Sequence, residues 1–91
     1  MSGIEQIESI GRFELKNGVP KVVVGSGTSY TCQLIGDGTA VLYGSMDGKN
    51  WVWIARMEST ADESDSFTGD HAWRYLKCDI AGTAIFYGNR G

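Results

Sequence analysis

Residues 40–57, AVLYGSMDGKNWVWIARM, constrain the fold more than any other part of the chain. Two apolar, β-prone runs flank Asp47-Gly48-Lys49-Asn50. Gly48 has no Cβ and takes a positive φ without steric cost, and the short polar side chains of Asp47 and Asn50 can hydrogen-bond to nearby amides. This pattern predicts a β-hairpin. The rest of the chain repeats it. Thirteen glycines against a single proline stand singly between apolar runs, which marks many tight turns rather than a flexible linker.

Strands are predicted at residues 12–16, 21–24, 30–35, 39–46, 51–57, 72–80 and 83–87. Pro20, with no amide to donate, suits a strand start or a sheet edge. Residues 58–70 read as a long acidic, Ser/Thr-rich loop with Phe67 as its only aromatic. No long amphipathic helices alternate with the strands, so a parallel α/β sheet is not expected. The predicted architecture is all-β: one small antiparallel β-sandwich over residues 12–91, jelly-roll-like or immunoglobulin-like, with about seven strands. Residues 1–11 are predicted to form an N-terminal arm or short helix, with Ile4, Ile7 and Ile10 spaced three apart, that reaches a partner. At 91 residues the chain buries a modest share of its surface, and neighbouring subunits would add stability.

Side-chain alternation then divides the strands into faces. Tyr30, Cys32 and Leu34 share one face, and Thr31 and Gln33 the wet one. Trp51 and Trp53 share a face opposite Val52 and Ile54, and Trp73 and Tyr75 share one opposite Arg74 and Leu76. Only one face of each pair can enter a single core. Either the tryptophans fill it and Val52 and Ile54 meet a neighbour, or the reverse. Both arrangements leave apolar surface of the kind that marks an interaction site, so a homo-oligomer or docked state is expected.

The formal net charge is −3, and the eight Lys and Arg residues form no run. A phosphate-tracking surface shows a basic stripe, so nucleic acid is not an expected partner. No apolar run approaches the ~20 residues of a membrane-spanning helix, and the acidic N-terminal segment lacks the basic-then-apolar pattern of a secretory signal. Cys32 and Cys78 each fall mid-strand and are expected to be buried free thiols, a single clamping bridge being the alternative.

The usual catalytic constellations are missing. The one histidine, His71, stands beside Asp70 in the loop before a strand, and Ser59, Ser64 and Ser66 surround no nucleophile elbow. One histidine and two distant cysteines do not supply a tetrahedral metal site. Asp62, Glu63, Asp65 and Asp70 lack the EF-hand spacing, and no glycine cluster matches a phosphate-binding loop. Neither catalytic residues nor a cofactor or metal are expected.

Two segments carry a resemblance. Gly44-Ser45-Met46-Asp47-Gly48-Lys49-Asn50-Trp51, and Trp73-Arg74-Tyr75-Leu76-Lys77-Cys78 followed by Ala81-Gly82-Thr83, together resemble a group of small tailed-bacteriophage structural proteins. The same order is similar to the later half of discoidin-type sandwich domains. The phage resemblance implies a non-enzymatic virion component: a capsid decoration (cement) protein or a head–tail or tail accessory subunit, assembled in a bacterial cytoplasm. Its partners would be copies of itself and major capsid or other virion proteins. On this reading the contact residues are Ile4, Ile7, Ile10, Phe13, Trp51, Trp53 and Trp73. The alternative function is a carbohydrate-binding module for host-surface attachment, in which Trp51, Trp53 or Trp73 stacks on sugar rings.

Overall fold

The computed structural model describes residues 11–23 and 27–90. Eight strands follow in chain order: β1 (Arg12–Leu15), β2 (Lys21–Val22), β3 (Tyr30–Ile35), β4 (Gly38–Ser45), β5 (Val52–Ser59), β6 (Asp65–Gly69), β7 (Tyr75–Gly82) and β8 (Ile85–Arg90). They form two four-stranded antiparallel sheets. Sheet I has the order β1-β8-β3-β6, and sheet II the order β2-β7-β4-β5. All-β architecture in a small antiparallel sandwich is as the sequence predicts.

The pairing follows one rule: β1 pairs with β8, β2 with β7, β3 with β6 and β4 with β5. The chain is thus a single long hairpin, folded at the β4–β5 turn, whose doubled ribbon wraps around the core. Two further pairings, β3 with β8 and β4 with β7, close each sheet. Eight strands wrapped in two sheets in this way make a jelly roll, which decides between the two sandwich types expected.

The strand count is one higher than predicted because β6 lies inside the segment read as a loop, and β5 runs on to Ser59. β7 begins at Tyr75 rather than at residue 72, and β8 runs from Ile85 to Arg90. Ile4, Ile7 and Ile10 lie outside the described residues.

Alternation fills the interior. Phe13, Leu15, Tyr30, Cys32, Leu34 and Phe86 point inward from sheet I, and Ala40, Leu42, Met57, Leu76 and Cys78 from sheet II. Each leucine removed from water contributes roughly 1.5–3 kcal/mol. Cys32 and Cys78 are fully buried free thiols, and burial in this apolar interior pushes both up to about 12. Phe13, expected to meet a partner, is instead a core residue 7% exposed. Its ring lies across Gly88, where an added Cβ would sit 2.1 Å from Phe13 Cζ.

Where β3 turns into β4 and β7 into β8, two backbones cross closely. Gly82 (φ 97°) faces the Asp37 carbonyl so tightly that a Cβ would lie 2.6 Å from it. The Asp37 carbonyl accepts the Thr83 amide at 2.8 Å, and its carboxylate accepts the Ala61 amide at 2.9 Å. The buried Ser59 hydroxyl donates to the Gly36 carbonyl. At the opposite end, the Arg90 guanidinium donates to the carbonyls of Gly27, Val23 and Trp73 at 2.9, 3.2 and 2.8 Å, tying the last strand to two loops.

Candidate functional site

The hairpin predicted from residues 40–57 is present, and its turn is built around one carboxylate. Asp47 Oδ1 accepts the amides of Lys49 and Asn50, both at 2.8 Å, and Oδ2 accepts the Asn50 side-chain amide at 2.7 Å. The Ser45 hydroxyl donates to Asp47 Oδ1 at 2.8 Å and accepts the amides of Asp47 and Gly48 at 3.2 and 2.9 Å. The Asn50 and Lys49 amides, with the two side-chain donors, hold the Asp47 carboxyl well below the usual carboxylate range. Gly48, at φ 76°, lies over the Tyr75 ring.

This turn fixes the chain on the outer face of sheet II, where the strand register lays side chains out in rows. Lys77 on β7 is opposite Tyr43 on β4, and Tyr43 is opposite Trp53 on β5. The next row is Asp79, Val41 and Arg56, and beyond it Ala81, Thr39 and Glu58. Toward the hairpin, Tyr75 is flanked by Val22 on β2. The register slips between Leu42 and Tyr43, making Ile54 the extra residue of a β-bulge. Bulges re-aim neighbouring side chains. Here Trp53 comes beside Tyr43 on the outer face, and Ile54 packs against the core.

Trp53 is 60% exposed. Lys77 Nζ lies 4.6 Å from the Trp51 ring centroid and 5.7 Å from that of Tyr43, within cation–π range of both. Lys77 thus lies between Trp51 and Tyr43, and the three side chains form one surface beside Trp53. Val52 and Met46 add exposed apolar area at the hairpin end. The chemistry available is that of an exposed aromatic surface bordered by Asp79, Arg56 and Glu58.

Of the contact residues expected from sequence, the structure brings Trp51 and Trp53 together. It places Trp73 elsewhere. Trp73 precedes β7 and does not share the outer face with Tyr75. Its ring covers Gly44 at the end of the interior, where a Cβ would lie 2.5 Å from Trp73 Cδ2. Its indole N–H is buried with no acceptor in bonding geometry. Nearby Tyr30 is pushed up to about 12, first by burial, with the Trp73 contact acting weakly in the other direction. Tyr43 and Lys77 are not singled out from sequence, and Tyr75 is marked there only as sharing a face with Trp73. Alternation along Thr39–Ser45 marks Tyr43 as outward, but the cross-strand register that joins it to Lys77 and Trp53 is not local information.

His71 is exposed, 3.9 Å from Asp70 Oδ1, and among the described residues no serine hydroxyl is hydrogen-bonded to it. The Ser59 hydroxyl is committed to Gly36, and that of Ser64 accepts from Gln33. Asp65 accepts the amides of Glu58 and Ser66. Among the described residues no cluster of three or more His, Cys, Asp or Glu side chains is placed to hold a metal ion. Comparison of the chain with protein-family models, curated proteins and solved structures gave no match.

Proposed function

We propose that this protein is a non-enzymatic structural component of a bacteriophage virion, a capsid decoration protein or a head–tail or tail accessory subunit, that docks through the outer face of sheet II. The observation that carries the docking role is the row Lys77–Tyr43–Trp53 with Trp51 beside it. Tyr43, Trp51 and Trp53 lie outside the buried core, and Trp53 offers apolar surface to another molecule. Tyrosine and tryptophan are enriched among the side chains that dominate binding energy at protein interfaces. The virion assignment rests on the resemblance of residues 44–51 and 73–83 to phage structural proteins. A jelly roll is compatible with it, being used in capsid domains and in lectins alike.

A sugar platform made of the same tryptophans is the competing reading. Lys77 lies over both the Trp51 and Tyr43 rings, and Trp73 is turned inward, which leaves Trp53 as the stacking ring on this face.

The test is re-binding to phage particles stripped of the protein, followed by co-sedimentation. Wild-type protein should pellet with particles at a fixed copy number. Trp53→Ala and Tyr43→Ala should each weaken binding by about tenfold or more while the circular dichroism spectrum stays that of a β protein, since hot-spot truncations cost ~2 kcal/mol or more. Unchanged binding by both variants, or absence of the chain from purified particles, would overturn the reading.

A further inference from the structure

The outer face of sheet II carries a charge pattern that is complementary to itself. Across β7, β4 and β5 the register sets Lys77, Tyr43 and Trp53 in one row and Asp79, Val41 and Arg56 in the next. The second row has a carboxylate at one end, a guanidinium at the other and an apolar side chain between them. Asp79 and Arg56 are both exposed, and among the described residues no cation is paired with Asp79. Arg56 lies 3.9 Å from Glu58, two positions along its own strand, with both side chains largely in water. An ion pair of that kind holds little energy and leaves the guanidinium fork able to take a second carboxylate.

The four charges of the face, Lys77, Arg56, Asp79 and Glu58, sum to zero, whereas the whole chain carries −3. The face is thus an electrically balanced part of an acidic molecule.

A second copy turned face to face about a two-fold axis along β4 sets β7 of each copy against β5 of the other. Asp79 then faces Arg56 of the other copy, and the same pair recurs on the far side of the axis, as an isologous interface requires. Val41 and Tyr43, both half-buried, meet their own counterparts on the axis. Trp53, 60% exposed, falls at the Lys77 end of the opposite row, while Lys77 stays over its own Trp51 and Tyr43 rings. Glu58 comes opposite Ala81 rather than another acid. A two-fold axis running across the strands through the same row would instead set Asp79 on Asp79 and Arg56 on Arg56, which like-charge repulsion opposes. Aligned sheets pack ~10 Å apart, a gap that an arginine and an aspartate side chain span together.

We infer that the occupant of the outer face of sheet II is a second copy of this chain, related by a two-fold axis along β4 and registered by reciprocal Asp79–Arg56 pairs. The inference rests on the reading of this face as the docking surface, and names its partner.

The experiment is sedimentation equilibrium of the full chain over a series of concentrations, with amide ¹H–¹⁵N spectra to locate the contact and verify the fold. Wild-type protein should form dimers, and the amides that shift with concentration should be those of residues 39–43, 53–58 and 77–81. Asp79→Arg and Arg56→Asp should each weaken dimerisation by about tenfold or more, because each sets like charges against one another across the axis. Mixed in equal amounts, the two variants should form a one-to-one heterodimer, since every facing pair is then of opposite sign. A structural role for either residue within its own chain would not produce that rescue. A wild-type chain that stays monomeric up to about 1 mM would overturn the inference, as would concentration-dependent shifts on sheet I or a mixture that fails to pair. A monomer whose Trp53→Ala variant loses particle binding overturns the second copy and leaves the docking face standing. A dimer with this register, in a chain absent from purified particles, overturns the virion role and upholds the second copy.

Discussion

At the scale of single residues, the turn at Ser45–Asn50 shows how a few polar groups set the geometry of an apolar surface. The Ser45 hydroxyl is buried and bonds both Asp47 and Gly48 amides. Ser45→Ala should therefore lower stability by ~1–2 kcal/mol in urea unfolding, the cost of amides left without an acceptor. Asp47 adds a pH signature. Its carboxyl is depressed when folded, so its contribution is complete above the ordinary carboxylate range, about pH 4, and is lost as pH falls below it. The melting temperature should drop on acidification below that point. Asp47→Ala should melt lower at neutral pH and show a flatter acid limb. Gly88 is a steric counterpart: with Phe13 Cζ 2.1 Å from an added Cβ, Gly88→Ala should cost ~1–3 kcal/mol by overpacking.

At the scale of elements, what the sequence disclosed and what it hid have physical causes. β3 was legible because Tyr30, Cys32 and Leu34 alternate with polar residues, and they are buried as that alternation requires. The Asp47–Asn50 turn was legible because its chemistry is local. β6 was hidden because an edge strand needs to bury little: Phe67 packs against the core between outward Ser66 and Thr68, and the run otherwise reads as solvated loop. Phe67 lies 6.2 Å from the Tyr30 ring, and Gly69 leaves room for the phenol. Trp73 departs from the expected alternation because it lies before the start of β7, where the period of two no longer holds and the ring turns inward. The aromatic row was half legible. Trp51 and Trp53 were chosen from sequence, but Tyr43 and Lys77 join them only through the β4–β5 and β4–β7 registers. β8 depends for its end on Arg90, whose guanidinium serves three carbonyls. Arg90→Ala should destabilise by ~2–3 kcal/mol in urea unfolding, since bonds to a charged donor are worth more than neutral ones.

At the scale of the whole molecule, the interior encloses three groups that resist ionisation. Cys32 and Cys78 are pushed up to about 12 by burial, as is Tyr30. A raised folded pKa on an acid means that stability is complete below the unfolded value and falls as pH rises toward the folded one. Unfolding should thus become easier from about pH 9 for the thiols and about pH 10 for the phenol. Alkaline melts should show it, and native protein at pH 8 should react slowly with a thiol reagent. Pairing the first strand with the last also makes the topology non-local, so refolding is expected on the millisecond-to-second scale in stopped-flow fluorescence.

That same pairing brings the two limits of the sandwich together, with the Arg90 amide donating to the Gly11 carbonyl at 2.7 Å. Anything attached before residue 11 or after residue 90 must leave from one spot. The fold can consequently be spliced into a surface loop of a host protein as a plug-in module. It can equally be rejoined head to tail and reopened between Asp62 and Glu63 without redrawing a single strand contact.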